Sequence, residues 1–422
     1  MECRAAKPKA LTRVAAGALV LALTATPQAV THLPSNDGQF WDIQDTSTWA
    51  QDSGGIATGG RANPFNGFGY LKLQVTTAGG AVQLRNHYLR GFGLAWDGDA
   101  RLDSITPVLA GGILVSRAIY APRDTAWLRY FDTFTNTTGQ PLVIDIAWGG
   151  ATGAYEDGGM VAVATTASGD RMIDAADGFV TVMQNARRVA EPSRGPSGHG
   201  PSGHVLGSRS TSLRRGVGNM YADPFTDRWP GFDPAHIGYL FRLRLAPEQT
   251  AALVTFVVKG LSEVYDPRGG FPVSRNDALI FSEPEYRGAD ARIPPAGSEI
   301  AKVTAVARRL LAQPDLRGLT LRQRALIVNW NLPVESPLTP FTTVEKSVSE
   351  LQAAMTRGDV TAEDIVREYL ARIARYDRHG PELRSMLALN PRILADARAR
   401  DGERAAGRAL GPFHGVPVIY KD

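Results

Sequence analysis

The chain has 422 residues, 43% hydrophobic and 21% charged, with 46 Lys and Arg against 42 Asp and Glu. That length suggests about two or three domains, and the composition excludes a wholly disordered chain. The excess positive charge sits at the N-terminus, where Arg4, Lys7, Lys9 and Arg13 face only Glu2. The remainder is nearly neutral and offers no footprint for nucleic acid or an anionic membrane.

Residues 1–29 read as a secretory signal peptide: a basic start, an apolar run at 14–23, then Thr24-Ala25-Thr26-Pro27-Gln28-Ala29. The run is shorter than the roughly 20 residues that span a bilayer and suits a signal core. Export to the periplasm or the exterior is therefore expected. The single cysteine, Cys3, precedes the apolar run, so neither disulfides nor a lipid anchor at that position is expected.

Residues 30–297 read as an all-β, sandwich-like domain. The stretch 71–75 alternates with period two, and 112–120 and 127–134 are short β-branched and aromatic runs. After a turn at 136–139, residues 142–148 are expected to pair with 127–134 as a hairpin. Further strands are expected at 179–183, 239–245 and 253–258. Alternation places Arg129, Asp145, Arg242 and Arg244 on faces away from the core. Residues 186–216 interrupt this pattern. They hold a tandem Gly-Pro-Ser-Gly-His at 195–199 and 200–204 within Ser- and Arg-rich flanks, which reads as a flexible insertion. His199 and His204 could form a weak metal pair, but no carboxylate or cysteine cluster completes it, so a solvated loop is the expectation.

From residue 298 the period becomes helical. Helices are expected at 298–311 and 320–328, and the prolines at 333, 337 and 340 make 331–340 an extended linker. The segment 298–346 thus joins the β domain to a last unit at 347–422. There, Ser347-x-x-Glu350 is a capping box, Gly358 ends the first helix, and Thr361-x-x-Asp364 opens the second. Ile365, Val366, Tyr369, Leu370 and Ile373 form one apolar stripe. Asn390-Pro391 is expected to cap a third helix. Val416 to Tyr420 is expected to be a buried strand.

The order and spacing of these pieces resemble the beginning of the amidase signature family. They comprise Leu351-Gln352 with Met355, Gly358 and Thr361, then Asn390-Pro391, then Gly411-Pro412-Phe413-His414-Gly415-Val416-Pro417-Val418-Ile419-Tyr420-Lys421-Asp422. The resemblance covers about residues 347–422. It implies an α/β amidase-signature domain, cut short here, that hydrolyses C–N bonds of amides through a Ser–cis-Ser–Lys mechanism. Lys421 aligns with the catalytic lysine, which must be neutral to act as a base and so needs desolvation. It would draw a proton through a bridging serine from the nucleophilic serine, with backbone N–H groups holding the oxyanion. Both serines normally follow the lysine, so the polypeptide taken literally is expected to be inactive. The mechanism needs no cofactor. The amide substrate, small molecule or polymer, is not specified by the resemblance.

Other candidates fit less well. Ser208, Ser210 and Ser212 lie before the lysine and lack a Gly-Gly-Ser setting; Ser197 and Ser202 belong to the tandem repeat. No Gly-x-Ser-x-Gly elbow occurs. His414 reads as a positioning residue rather than a base. Asp97 with Asp99, and Glu156 with Asp157, could suggest a glycosidase pair but read as turn carboxylates. Trp41, Trp49, Trp96 and Trp229 could form a sugar platform but read mainly as core. Two functions are thus in contention: an amidase whose β domain holds it near an extracellular polymer, or a non-catalytic secreted binding module with a vestigial amidase stub.

Overall fold

The computed structural model describes residues 30–45, 53–58, 64–153, 160–185, 200–209, 213–214, 220, 222–226, 235–261, 298–333, 338 and 340–421. The signal-peptide reading of 1–29 lies outside these residues. So do Trp49, Glu156, Asp157, Ser197, His199, Ser210, Ser212, Trp229 and Asp422.

The first strands are β1 (Val30–Pro34), β2 (Phe40–Gln44), β3 (Gly55–Thr58), β4 (Tyr70–Thr77), β5 (Val82–Tyr88) and β6 (Leu94–Trp96). Next come β7 (Arg101–Ser104), β8 (Val108–Ala110), β9 (Ile113–Tyr120), β10 (Trp127–Asn136), β11 (Leu142–Ala151) and β12 (Met160–Thr166). Then follow β13 (Phe179–Asn185), β14 (Ser202–Val205), β15 (Leu213–Arg214), β16 (His236–Leu245) and β17 (Thr250–Lys259). The helices are α1 (Glu299–Ala312), α2 (Leu321–Ala325), α3 (Val348–Arg357), α4 (Ala362–Arg372), which runs on into a wider turn at Ile373–Arg378, and α5 (Ile393–Ala405).

Strands β1, β2 and β3 make a small sheet. A nine-stranded sheet has the order β12-β13-β14-β17-β10-β9-β7-β6, with β8 also on β9, and a five-stranded sheet has the order β15-β16-β11-β4-β5. The two large sheets share one core, because period-two alternation aims alternate side chains between them. Leu71, Leu73, Ile144, Ile146, Trp148, Tyr239 and Phe241 from one sheet meet Val115, Ile119, Leu128, Tyr130, Leu253 and Val257 from the other.

The outer face of the nine-stranded sheet is also buried. Trp127, Phe131, Val254, Phe256 and Val258 lie under Val303, Ala307 and Leu310 of α1, with Leu319, Ile327 and Trp330. Ser298 caps α1 by accepting a bond from Ala301 N. Strand β14 reaches only to Phe256 along β17, which leaves an open edge. The chain at 326–329 covers it: Ala252 N donates to Leu326 O at 2.7 Å and Val328 N to Ala252 O at 3.0 Å. An edge capped in this way cannot recruit a foreign strand.

Four expectations change. First, β11 does not pair with β10; it lies between β4 and β16, while β10 lies between β9 and β17. The chain crosses between sheets here because Asn136, fully buried, ties the end of β10 to the other sheet. Its Nδ2 donates to Gln140 O, Leu245 O and Ala246 O at 2.7, 3.2 and 3.1 Å. Second, the tandem repeat is not all loop, since its second copy supplies β14 with His204 fully buried. Third, Arg129 faces outward from the shared core yet is 1% exposed, because the polar face carries a second layer. Its Nη1 donates to Asp315 O at 2.7 Å, and burial, with nearby Arg101, lowers its pKa to about 9. Fourth, the helix expected at 320–328 stops at Ala325, freeing 326–329 to dock on β17. Asp145 and Arg242 do share an outer face, where they are cross-strand partners joined by a two-toothed ion pair of 2.6 and 2.8 Å.

The stretch read as a linker begins attached: Asn331 N donates to Ser208 Oγ at 2.8 Å. Residues 334–337 and 339 lie outside the described residues.

Candidate functional site

Local code builds the segment from residue 347 onward much as its sequence implies. Ser347 and Glu350 cap each other at the start of α3, and Gly358 ends it at φ 77°, a left-handed conformation that suits glycine. The Ser347 backbone N–H and hydroxyl hold the Glu350 pKa down to about 2. Thr361 and Asp364 form the same box on α4. Ile365, Val366 and Leu370 pack against Leu351, Ala354, Met355 and Leu394. The third helix starts later than expected, at Ile393, because Asn390 Oδ1 accepts from Arg392 N and makes a turn before it.

The loop before the lysine is clamped by these helices. His414 is 5% exposed; its Nδ1 accepts from Leu410 N at 3.2 Å and its Nε2 donates to Arg400 O at 2.9 Å. Both ring nitrogens are thus engaged with backbone, which fits positioning rather than proton abstraction. Gln352 Nε2 donates to Pro412 O and His414 O at 2.8 and 2.9 Å, and Arg404 Nη2 reaches Gln352 Oε1 and His414 O at 2.7 and 3.0 Å. Gly415 (φ 80°) passes so close to the helices that a Cβ there would lie 3.0 Å from Ala362 Cβ and 3.3 Å from Met355 Sδ.

Beyond the clamp the expectation of a buried strand fails. Val418, Ile419 and Tyr420 are 54%, 75% and 89% exposed, and Lys421 is exposed. Among the described residues no strand pairs with 416–421, so their backbone lacks the ladder a strand requires. Of the candidate serines, Ser202 and Ser208 are among the described residues, and both are engaged within the β region. Ser208 Oγ accepts from Asn331 N, and Ser202 is buried against His204.

The remaining candidates among the described residues have structural roles. His204 lies between Tyr239 Oη at 2.8 Å and Ser202 Oγ at 3.2 Å, with its ring stacked on Phe68. Asp97 Oδ1 accepts from Asp99 N and Arg101 N, the pattern of a turn carboxylate, and Asp99 pairs with Arg123 at 2.7 Å. Trp41 is core, under the Lys259 ammonium; Trp96 is 42% exposed and donates to Asp99 O. No group of three or more His, Cys, Asp or Glu among the described residues is arranged to hold a metal ion. Among those residues no helix is long and apolar enough to cross a membrane.

Sequence reasoning missed a buried ion cluster that joins this segment to the sheets. Asp103 on β7 receives Arg101 Nε at 3.0 Å, Arg367 Nη2 at 2.6 Å and Arg398 Nη1 at 2.8 Å. Glu363 shares them, at 3.0 Å from Arg101, 2.6 Å from Arg367 and 3.5 Å from Arg398. Asp97 stands 3.6 Å from Arg398 at the rim, so carboxylates match guanidiniums. Burial works against the Asp103 charge, but the surrounding guanidiniums hold it below the usual carboxylate range. Arg367 is likewise held charged by Asp103 and Glu363 against the cost of burial. Only the i, i+4 spacing of Glu363 and Arg367 hinted at any of this.

The amidase resemblance is supported by comparison with known proteins. A glutamyl-tRNA(Gln) amidotransferase subunit from Chloroflexus aurantiacus is 43% identical over 77 residues, 18% of this chain and 15% of its own. A Schizosaccharomyces pombe protein, provisionally named an amidase, is 41% identical over 82 residues, 19% of this chain and 14% of its own. A native peptide amidase structure from Stenotrophomonas maltophilia is 47% identical over 18% of this chain and 16% of that one, with a TM-score of 0.18. The chain therefore spans about 15% of the length of the curated relatives it matches. No family model matches it. The matched portion, about 18% of the chain, is thus similar to the amidase signature region of these relatives.

Proposed function

We propose that residues 347–422 are the lysine-bearing portion of an amidase-signature hydrolase of amide C–N bonds, with Lys421 as the lysine of its Ser–cis-Ser–Lys mechanism. The observation that carries this reading is the 43% identity over 77 residues to the Chloroflexus amidotransferase protein. Support from geometry comes from the clamp on His414 and Gly415, which fixes the approach to the lysine. Lys421 would accept a proton from a bridging serine, and that serine from the nucleophile attacking the amide carbon. A lysine acting as a base needs desolvation, so this mechanism calls for further surface over the exposed Lys421. The exposed Val418, Ile419 and Tyr420 offer apolar area for such a cover. This reading assigns the lysine and leaves both serines unassigned.

Residues 1–29 carry the further proposal that the protein is exported, preceding a sandwich-like β domain. The test combines the intact mass of the exported protein with assay of the native product on a panel of simple amides. Hydrolysis should fall at least a thousandfold in Lys421→Ala. Activity indifferent to that substitution would refute the assignment of Lys421.

A further inference from the structure

We infer that the two-sheet region serves as an internal dock for the helical segment that leads to Lys421, with Asp103 as the residue that holds the segment in place. The inference rests on the ion cluster and on where its members come from. Arg101 and Asp103 belong to β7, Glu363 and Arg367 to α4, and Arg398 to α5. Arg101, Asp103 and Glu363 have side chains no more than 4% exposed. If the helices left the sheet, Glu363 and Arg367 would keep each other while Asp103 and Arg101 lost their outer partners. Charges of this kind favour one docked arrangement, because any shifted one leaves a buried ion unpaired. The members satisfy one another, so the cluster presents no open coordination to a ligand.

The geometry also connects Asp103 to the lysine loop through a single helix. Arg398 of α5 binds Asp103 at 2.8 Å. One turn on, Asp401 accepts from Ala362 N and Glu363 N at 2.6 and 3.0 Å, which fixes α5 against the start of α4. One turn further, Arg404 donates to His414 O at 3.0 Å, and Arg400 O accepts a hydrogen bond from His414 Nε2. Spacing by three residues puts Arg398, Asp401 and Arg404 along one side of the helix. Other polar contacts reinforce the seat. Thr320 Oγ1 donates to Asp364 at 2.7 Å, Arg322 Nε to Asp359 O at 2.7 Å, and Arg375 binds both Glu248 oxygens at 2.7 and 3.0 Å. Ile105, directly after β7, packs into the apolar cluster of α3 and α4.

The location of the segment is inferred from these contacts; that Lys421 is a reactive group rests on the proposed function above. The test therefore avoids amide hydrolysis, so either idea can fail alone. Backbone hydrogen exchange is followed by mass spectrometry in the full chain. In Asp103→Asn, peptides within 393–416 should exchange at least tenfold faster, while peptides within 113–136 and 250–259 stay protected. Asp99→Asn, in the exposed turn before β7, should leave all of them unchanged. Unchanged exchange at 393–416 in folded Asp103→Asn overturns the inference. A second arm covers the case in which that variant does not fold. A protease site is inserted within 334–337 of the otherwise unaltered chain, and the chain is cut there. The severed piece should remain with the two-sheet part through gel filtration at low salt. Separation of the two, each with its secondary structure intact, also overturns the inference.

Discussion

Arg117 and Asp132 face each other across neighbouring strands and join through two parallel hydrogen bonds of 2.7 and 2.8 Å inside the protein core. The guanidinium also donates to Ser53 O and Gly69 O and lies 4.3 Å from the Tyr130 ring centroid, so its polar atoms are satisfied without water. A pair of this kind is tolerated because each charge has the other. Removing one partner leaves the second buried alone. Asp132→Ala should cost about 3–5 kcal/mol, measured as a fall in the urea midpoint. Replacing both residues with apolar side chains of similar volume should restore most of that loss. A single variant as stable as the parent would show that solvent reaches Arg117.

Asn136 makes the sheet crossing. Asn136→Ala removes the buried side-chain donor from the Leu245 carbonyl, while Ala246 O keeps its bond from Gln249 N at 3.1 Å. The loss should be about 1–3 kcal/mol, the cost of one buried polar group losing its partner. Asn136→Asp should do no better, since a carboxylate cannot donate to those carbonyls. A loss below about 0.5 kcal/mol would mean the crossing holds by packing alone.

His204 predicts an acid limb in the stability profile. Burial lowers its pKa to about 3 from the usual 6.5. The folded state thus binds its proton less readily than the unfolded state. Its contribution is complete above about pH 6.5 and is lost as pH falls toward about 3. His204→Phe should be less stable at pH 7, because Tyr239 and Ser202 lose a partner, and the two stability curves should converge on acidification. Parallel curves from pH 7 to pH 4 would count against a buried neutral imidazole.

Gly415 tests the clamp. Its positive φ strains any side chain there, and a methyl group would crowd Ala362 at 3.0 Å. Gly415→Ala should cost about 1–2 kcal/mol locally, seen as faster amide exchange in 410–416 with little change in the global midpoint. Gly402→Ala, on open helix surface, is the control and should be neutral or slightly stabilising.

Local code was the most legible part of the chain. Ser347 with Glu350, and Thr361 with Asp364, occur as read, because a cap needs only residues three apart. Most strand positions followed from alternation for the same reason. The pairing of those strands did not: 127–134 and 142–148 look like a hairpin in sequence, yet they lie in two different sheets, with Asn136 tied to residues near 245 at the crossing. His204 looked like loop because its flanks are Gly, Pro and Ser. Yet its ring fits between Phe68, Tyr239 and Ser202, none of which is near it in sequence except Ser202.

The amino-acid sequence by itself determined the β character of the long first region, the caps and apolar stripe of the last helices, and the resemblance that singles out Lys421. These are properties of neighbours along the chain, where spacing of three, four or two residues sets the geometry. Tertiary structure alone decided that Arg129 is buried, that residues 416–421 pair with no strand among the described residues, and that Asp103 gathers Arg101, Arg367 and Arg398. Each depends on burial and on charges brought together from distant positions, and the free energy of a charge is set by what surrounds it in space.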